Sequence, residues 1–308
     1  MSEPKFTRQM TVSQFDRLFP DEDACREYLY LRRWPAGVHC PRCNNDHVYR
    51  GKDKRFWTWQ CMKCGPKPRS PYRFSLATGT VFEESKKPLT HWFKILYLML
   101  TSKKGISALQ IHRMLGYGSY ETAWYMCMRL RAALKDPDFR KLMGVVEVDE
   151  TFIGGRDYNR HKKDKKGGSG TFGYTPVIGA ISRKGSVVCK VIENTDTATL
   201  DAFVRKTVDH EKVELIATDE HSGYRLLSQG GKQFGLPHQV IKHSTGEYVR
   251  GVVHTNSIES FWSLLKRGVI GTYHHVSKKY LPLYLAEFQF RFNNRAEADI
   301  FGKAIAGC

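Results

Sequence analysis

The chain has few acidic residues for its size, and it has no long hydrophobic run. Asp and Glu number 31 against 49 Lys and Arg in 308 residues, which leaves a formal net charge of +18. This shortage of negative charge favours a polyanionic partner, nucleic acid first and an anionic membrane surface second. No apolar run approaches the roughly 20 residues that span a bilayer, and the N-terminal MSEPKFTRQM lacks the apolar segment of a signal peptide. We therefore expect a cytoplasmic protein with no membrane partner.

Four segments of different composition predict the domain organisation. Residues 1–36 have the pattern of a helical lead-in, 37–87 that of a small metal-stapled β module, and 88–142 that of a helical region. Over 143–308, β-branched runs such as GVVEVDETFIGG, TPVIGAIS and VELIATDE alternate with helical stretches. This alternation predicts an α/β domain at the end of the chain.

Half of the eight cysteines occur in two close pairs. Cys40 and Cys43 form one C-x2-C pair, and Cys61 and Cys64 form a second pair after a gap of 17 residues. This spacing is typical of a tetrahedral four-thiolate zinc site, and four protein ligands leave no open position for a substrate. We expect a structural Zn²⁺ ion in a zinc ribbon. Four unrelated buried cysteines are the alternative.

Two short helical patterns flank a glycine-containing turn. Apolar residues recur at helical spacing in 107–115, Gly116 to Ser119 interrupt them, and the pattern resumes over 121–134. This layout is typical of a helix-turn-helix, whose second helix enters a DNA groove. Its candidate contacts are Tyr120, Thr122, Tyr125, Arg129 and Arg131. A helical hairpin that links two domains is the alternative.

Carboxylates lie in two of the predicted strands. Asp149 lies in GVVEVDETFIGG among valines that bury the strand, and Asp219 ends VELIATDE. Alternation places Glu147 on the same face as Asp149 and sends Glu150 to the other face. Cleavage of a phosphodiester by two metal ions needs carboxylates from distant positions to converge. Asp149 and Asp219 are candidates for such a site, and a surface or capping role is the alternative.

A third carboxylate lies in the segment HTNSIESFWSLLKRG. A helix that begins near Asn256 places Asn256, Glu259, Ser263 and Lys266 along one stripe, beside an apolar face. Glu259 is then a candidate third metal ligand, and Lys266 a candidate phosphate contact. An exposed Glu and Lys on an ordinary amphipathic helix are the alternative.

Taken in order, these motifs resemble the IS1595 (ISXO2-like) family of insertion-sequence transposases. The resemblance runs from about Cys40 to Arg295, and it is carried by the paired cysteines and by VEVDETFIGG, TDEHSGY, HTNSIESFWSLLKRG and EFQFRFNNR. It implies an RNase H-like catalytic domain, preceded by the zinc ribbon and the helix-turn-helix region. The implied metal-binding triad is Asp149, Asp219 and Glu259, with Lys266 as the accompanying basic residue.

The same resemblance implies what such a protein does. Mg²⁺ or Mn²⁺ bound by the triad serves DNA cleavage at the ends of an insertion sequence and transfer of the freed strand to target DNA. Related members have Asn as the third residue of the site, so Asn256 competes with Glu259 or serves as a co-ligand. The implied partners are the terminal inverted repeats, target DNA and further copies of the chain assembled on DNA, in association with the nucleoid.

Basic residues outside the triad are candidate phosphate contacts. Lys162 and Lys163 lie in the basic segment RDYNRHKKDKKGGS, and Arg267 follows Lys266. A solvated insertion is the alternative for the basic segment. Two other functions remain open from the residues alone: a DNA-binding regulator without enzymatic activity, and a metal-dependent nuclease without strand transfer.

Overall fold

The chain divides into two units in the computed structural model. One unit comprises Met1–Lys135 together with Ala296–Cys308, and the other comprises Asp136–Arg295. The structure describes residues 10–51, 57–65, 70–134, 141–154, 173–183, 185–227, 235–241 and 253–308. Within these ranges no helix has both the length and the apolar character that a membrane span requires.

Six helices of the first unit are described. They are α1 (Val12–Leu18), α2 (Glu22–Arg33), α3 (Leu89–Thr101), α4 (Ala108–Leu115), α5 (Tyr120–Ala133) and α9 (Ile300–Ala306). Pro88 precedes α3 and gives it no side-chain cap, but the Glu22 carboxylate accepts the N–H groups of Leu89 and Thr90 at 3.0 and 3.1 Å. Helices α1 and α2 lie within residues 1–36, where the sequence predicts a helical lead-in, and α3 begins directly after Pro88.

A small antiparallel sheet holds the paired cysteines. Its strands are β1 (Val48–Arg50), β2 (Thr58–Cys61) and β3 (Tyr72–Ser75), in the order β1-β2-β3. Trp59 is buried, and its ring lies 4.9 Å from that of Trp34 and 6.1 Å from that of Phe74. These aromatic side chains form the apolar core of a module too small to bury much surface.

The last residues of the chain belong to the first unit, whereas the sequence assigned all of 143–308 to the C-terminal domain. The ring of Phe301 in α9 lies 5.9 Å from Phe15, 5.3 Å from Phe19 and 5.5 Å from Phe93. All four rings are buried. Helix α9 joins this unit because its apolar face completes the aromatic cluster.

The second unit contains a five-stranded mixed sheet. Its strands are β4 (Leu142–Ile153), β5 (Thr175–Ser182), β6 (Val187–Val191), β7 (Val208–Thr218) and β8 (His238–Val240). The order is β6-β5-β4-β7-β8, with β5 antiparallel to β4 and β6, β7 parallel to β4 and β8 parallel to β7. The described helices are α6 (Thr197–Thr207), α7 (Asn256–Gly268) and α8 (Leu281–Asn293). The predicted α/β character is confirmed.

Helices cover both faces of this sheet. Leu200 and Val204 of α6 share a buried cluster with Val146 and Val148 of β4. On the other face, α7 packs so closely that a Cβ atom on Gly179 would lie 2.6 Å from two ring atoms of Trp262. Gly179 is the partner of Asp149 in the β4–β5 ladder, so α7 crosses the sheet beside that carboxylate.

Candidate functional site

The four paired cysteines meet at one point of the ribbon. The Cys40 and Cys64 sulfur atoms are 3.4 Å apart, the Cys43 and Cys61 sulfur atoms are 3.7 Å apart, and all four lie within 4.8 Å of one another. Around a tetrahedral zinc ion with Zn–S distances of about 2.3 Å, the ligands are separated by roughly 3.8 Å. The four thiols therefore fit one zinc ion.

The surroundings of Cys61 favour its thiolate. Burial raises the pKa of Cys61, but hydrogen bonds from the backbone N–H groups of Cys64 and Lys63 and from the neighbouring thiols bring that pKa down to about 6. Asn45 Nδ2 also lies 3.8 Å from the Cys61 sulfur. The thiolate is the form that binds a metal. In the same cluster, burial and the neighbouring thiols raise the pKa of Cys64 to about 12.

The three carboxylates of β4 point to two different faces. Glu147 contacts the beginning of α7, which covers the Asp149 face. Glu150 lies on the opposite face beside Tyr224, a member of the cluster under α6. This is the alternation that the sequence predicted, and it separates the environments of Asp149 and Glu150 although they are adjacent in the chain.

Asp149 is surrounded by other carboxylates. Burial raises its pKa, and the negative charges of Asp219, Glu150 and Glu259 raise it further, to about 7, although the Glu150 backbone N–H lowers it in part. These charges act at short range in a poorly solvated site. Asp149, within β4, is therefore near enough to Asp219, directly after β7, and to Glu259 of α7 for their charges to interact.

Asp219 directly follows β7, the strand that runs parallel to β4. Its Oδ1 accepts the backbone N–H of His221 at 3.1 Å, which holds the turn after the strand. Thr218, fully buried, donates its hydroxyl to the Asp219 carbonyl oxygen at 2.8 Å. The first contact restricts where this carboxylate can point, and the second holds the backbone that carries it.

The predicted stripe on α7 is exposed, and its apolar face is buried. Glu259 accepts a hydrogen bond on Oε1 from the Thr255 hydroxyl at 2.8 Å. Asn256, Lys266 and Arg267 are exposed, Asn256 at the first residue of the helix and the two basic residues in its last turn. The helix thus presents Glu259 and Asn256 at one end and two positive charges at the other.

The carboxylates of Asp149, Asp219 and Glu259 are farther apart than the ligands of a single metal ion. Within the described ranges, the cysteine cluster is the only group of three or more His, Cys, Asp and Glu side chains with ligand atoms all within 4.8 Å. Two ions about 3.5–4 Å apart are held by carboxylates distributed over both ions. No described cation forms an ion pair with Asp149, Asp219 or Glu259. Carboxylate oxygens are the ligands that divalent cations such as Mg²⁺ prefer.

Sequence reasoning did not identify the buried group around Glu150. Burial raises the pKa of Glu150 to about 7; the nearby Tyr224 hydroxyl lowers it in part, and the charge of Asp219 raises it. His221 Nδ1 lies 3.8 Å from Glu150 Oε1. The adjacent letters Asp-Glu carry no signal of this burial, because Tyr224 comes from a segment more than 70 residues away.

Glu147, which alternation places on the same face of β4 as Asp149, is fully buried and has its own partners. It accepts hydrogen bonds from Ser257 and Ile258 of α7 and from Arg183. His254 Nδ1 lies 3.3 Å from Glu147 Oε1. Glu147 is therefore occupied by protein groups.

The predicted DNA contacts differ in their exposure to solvent. Arg131 is only 1% exposed, because it lies on the face of α5 that carries the buried Ala123 and Cys127, so it is not available to a groove. Arg129 is half-buried and donates to the Glu83 carbonyl oxygen at 3.1 Å. Lys162 and Lys163, with the whole basic segment around them, lie outside the described residues.

Comparison with known proteins identifies one domain around each of the two groups of residues. A transposase zinc-ribbon domain model matches residues 20–67, and an ISXO2-like transposase domain model matches residues 141–293. A protein of transposable element ISH50 from Halobacterium salinarum is 27% identical over 89% of this chain and 92% of its own length. A transposase-like protein from Haemophilus influenzae is 31% identical over 40% of this chain and 97% of its own length.

A solved structure, the intasome of simian T-cell lymphotropic virus in complex with the PP2A regulatory subunit B56 gamma, contains a similar chain. It matches 64% of this chain and 65% of its own with 12% identity, and its TM-score of 0.32 is too low to support an argument.

Together the zinc ribbon and the matched domain define a transposase-type protein. The two matched models occur in the order that the sequence motifs predicted, and the ISH50 relative extends across both. The chain belongs to the IS1595 (ISXO2-like) family of transposases.

Proposed function

We propose that this protein is a DNA transposase that binds insertion-sequence ends, cleaves DNA there with the help of divalent metal ions and joins the freed strand to target DNA. The observation that carries the proposal is the carboxylate group around Asp149. Burial and the charges of Asp219, Glu150 and Glu259 raise the pKa of Asp149 to about 7. Negative charge concentrated in this way, with no ion pair to a cation among the described residues, is what a divalent-metal site requires.

The sheet supports an RNase H-like assignment for this domain. Strand β4 is central, β5 is antiparallel to it, and β7 and β8 extend the sheet in parallel. That arrangement is the one expected of an RNase H-like sheet. It places Asp149 in the central strand and Asp219 at the end of the neighbouring parallel strand, where functional groups of open α/β sheets collect.

Each residue of the proposed site has a distinct role. Asp149, Asp219 and Glu259 hold two Mg²⁺ or Mn²⁺ ions, which stabilise charge on the attacking and leaving oxygens of the phosphodiester. The ladder with β5, in which Asp149 pairs with Gly179, holds the Asp149 backbone, and the ladder with β7 ends two residues earlier, at Glu147. Asn256, one turn before Glu259, serves as a co-ligand, and Lys266 contacts a DNA phosphate.

DNA binding is assigned to both units. The zinc ribbon and the α4–α5 pair, joined through Gly116 with its left-handed backbone, form the proposed end-binding region. Tyr120 and Tyr125 of α5 are exposed, and Arg129 is half-buried. Lys266 and Arg267, in the last turn of the helix that carries Glu259 in its first turn, provide phosphate contacts. We expect the protein to act as a homo-oligomer on DNA in the cytoplasm, near the nucleoid.

The site is tested by removing single ligands. Asp149→Asn, Asp219→Asn and Glu259→Gln are each expected to lower Mg²⁺-dependent cleavage of terminal DNA by at least 100-fold, because one ion loses a ligand. Glu193→Gln, which removes an exposed charge from the same unit, is the control. Near-normal cleavage by Glu259→Gln together with an inactive Asn256→Ala would transfer the third-ligand role to Asn256.

The type of reaction is tested with the wild-type protein, terminal DNA and a target plasmid. A joined product that needs Mg²⁺ or Mn²⁺ supports strand transfer. Cleaved ends without joined product would instead identify a nuclease. Tight binding to terminal DNA without cleavage under any divalent metal would identify a DNA-binding regulator.

A further inference from the structure

The first turn of α7 has no cap from its own segment. Thr255 occupies the N-cap position but makes no side-chain hydrogen bond to the helix backbone. Helices ordinarily satisfy these first N–H groups with a Ser, Thr, Asp or Asn side chain. Thr255 instead turns its hydroxyl to the Glu259 carboxylate.

Glu147 supplies the missing cap from the neighbouring strand. Its Oε2 accepts the backbone N–H groups of Ser257 at 2.7 Å and Ile258 at 3.1 Å, and its Oε1 accepts the Ser257 hydroxyl at 3.0 Å. A fully buried carboxylate is thus neutralised by the positive end of a helix and by hydrogen bonds. The helix start is tied to β4 by a residue 110 positions earlier in the chain.

Arg183 completes this attachment. Its Nε donates to Glu147 Oε1 at 2.9 Å, and its second terminal nitrogen donates to the His254 carbonyl oxygen at 3.2 Å. One guanidinium group therefore binds both the capping carboxylate and the backbone that leads into α7. Because several charge-assisted bonds converge on Glu147, a shift of the helix start would break them together.

The geometry points to Glu147 as a positioning residue for the metal site, and this inference rests on the proposed function. Glu147 and Asp149 lie two residues apart on one face of β4, and Glu259 lies two residues after Ser257. By holding the first turn of α7, Glu147 sets the separation between Asp149 and Glu259. Freeing the Thr255 hydroxyl for Glu259 is a second consequence of the same cap.

The experiment uses the full-length, zinc-loaded protein and two measurements that need no cleavage. Hydrogen exchange measures how strongly the Ser257 and Ile258 amide groups are protected from solvent. A spectroscopic Mn²⁺ titration measures metal affinity. In Glu147→Gln the cap loses its negative charge, and one accepting oxygen becomes an NH₂ group that faces donors, so we expect these amides to exchange at least 10-fold faster. Mn²⁺ binding should weaken by about 10- to 100-fold, the usual effect of losing a group that orients metal ligands.

Glu287→Gln is the matched control. Glu287 is also fully buried in the second unit, accepts the Tyr273 hydroxyl at 3.1 Å and faces Arg291. Its replacement should lower thermal stability without changing Mn²⁺ affinity. Ser257→Ala removes one donor to Glu147 and keeps the fold intact, so a few-fold weaker Mn²⁺ binding is expected even if Glu147→Gln does not fold.

Unchanged amide exchange in Glu147→Gln would overturn the capping role. Faster exchange with unchanged Mn²⁺ affinity, in both Glu147→Gln and Ser257→Ala, would show that the attachment only stabilises the fold. If wild type and Asp149→Asn bind Mn²⁺ equally, the proposed metal site itself is wrong and the positioning role fails with it. Comparing Mn²⁺ binding by wild type and by Asp149→Asn thus distinguishes a failure of the proposed metal site from a failure of the positioning role alone.

Discussion

In the proposed metal site, the burial and negative charge around Asp149 lower the stability of the folded protein when Asp149 is ionised. Folding raises the pKa of Asp149 from 3.8 to about 7, first through burial and then through its negative neighbours. At a pH between these two pKa values, Asp149 keeps its proton in the folded protein but has released it in the unfolded chain. The stabilising contribution of protonated Asp149 is therefore fully present below about pH 4 and is lost as the pH rises through about 7.

Asp149→Asn should consequently stabilise the protein when no Mg²⁺ or Mn²⁺ is added. Asn carries no charge to desolvate, so at pH 8 we expect a higher melting temperature, with a gain on the order of 1–3 kcal/mol in unfolding free energy. The gain should shrink toward pH 5.5, where Asp149 is already protonated. Thermal melting of zinc-loaded protein across this range is the measurement, and equal melting temperatures at pH 8 would contradict the inferred charge repulsion.

At the scale of elements, the contact between α7 and the sheet depends on a glycine. Gly179→Ala would place a Cβ atom 2.6 Å from two ring atoms of Trp262. We expect a loss of about 1–3 kcal/mol in unfolding free energy, because a close-packed contact must open. Chemical denaturation measures it. Gly271→Ala, where the added Cβ meets nothing within 4 Å, is the control and should change stability little.

The zinc ribbon is a second element whose stability has one dominant cause. Cys61→Ser removes a ligand whose sulfur lies 3.7 Å from that of Cys43, so the module should lose its zinc and unfold locally. The zinc content measured by metal analysis is expected to fall from about one ion per chain to well below one. Cys189→Ser, which removes a half-buried thiol of the second unit, should keep its zinc. Retained zinc in Cys61→Ser would exclude this cysteine as a ligand.

For the whole molecule, the two ends of the chain stabilise the same unit. Phe301→Ala should lower the unfolding free energy of the first unit by about 3–5 kcal/mol, because it leaves a cavity among Phe15, Phe19 and Phe93. Five of the six tryptophans, all except Trp262, belong to this unit, so tryptophan fluorescence follows its unfolding. Exposed Lys303 provides the control Lys303→Ala. A Phe301→Ala protein as stable as wild type would contradict the assignment of α9 to this unit.

Local patterns in the sequence determined much of this protein. The spacing of Cys40, Cys43, Cys61 and Cys64 predicted the thiol cluster, because two close pairs place their sulfur atoms within reach of one ion. The two-residue period of β4 placed Asp149 and Glu150 on opposite faces. The helical period of 256–266 separated the exposed stripe with Glu259 from the buried face with Trp262. Each of these inferences needs only neighbours a few positions apart.

Only the tertiary structure decided which distant residues meet. Arg131 has the composition of a DNA contact, but the packing of α5 buries it. Glu147 has the residue type of a metal ligand, but in the folded protein it caps α7. Helix α9 belongs to the first unit because its Phe301 packs against three aromatic rings of that unit. Burial and pairing between residues more than 100 positions apart depend on how whole elements pack, and a local period carries no information about that packing.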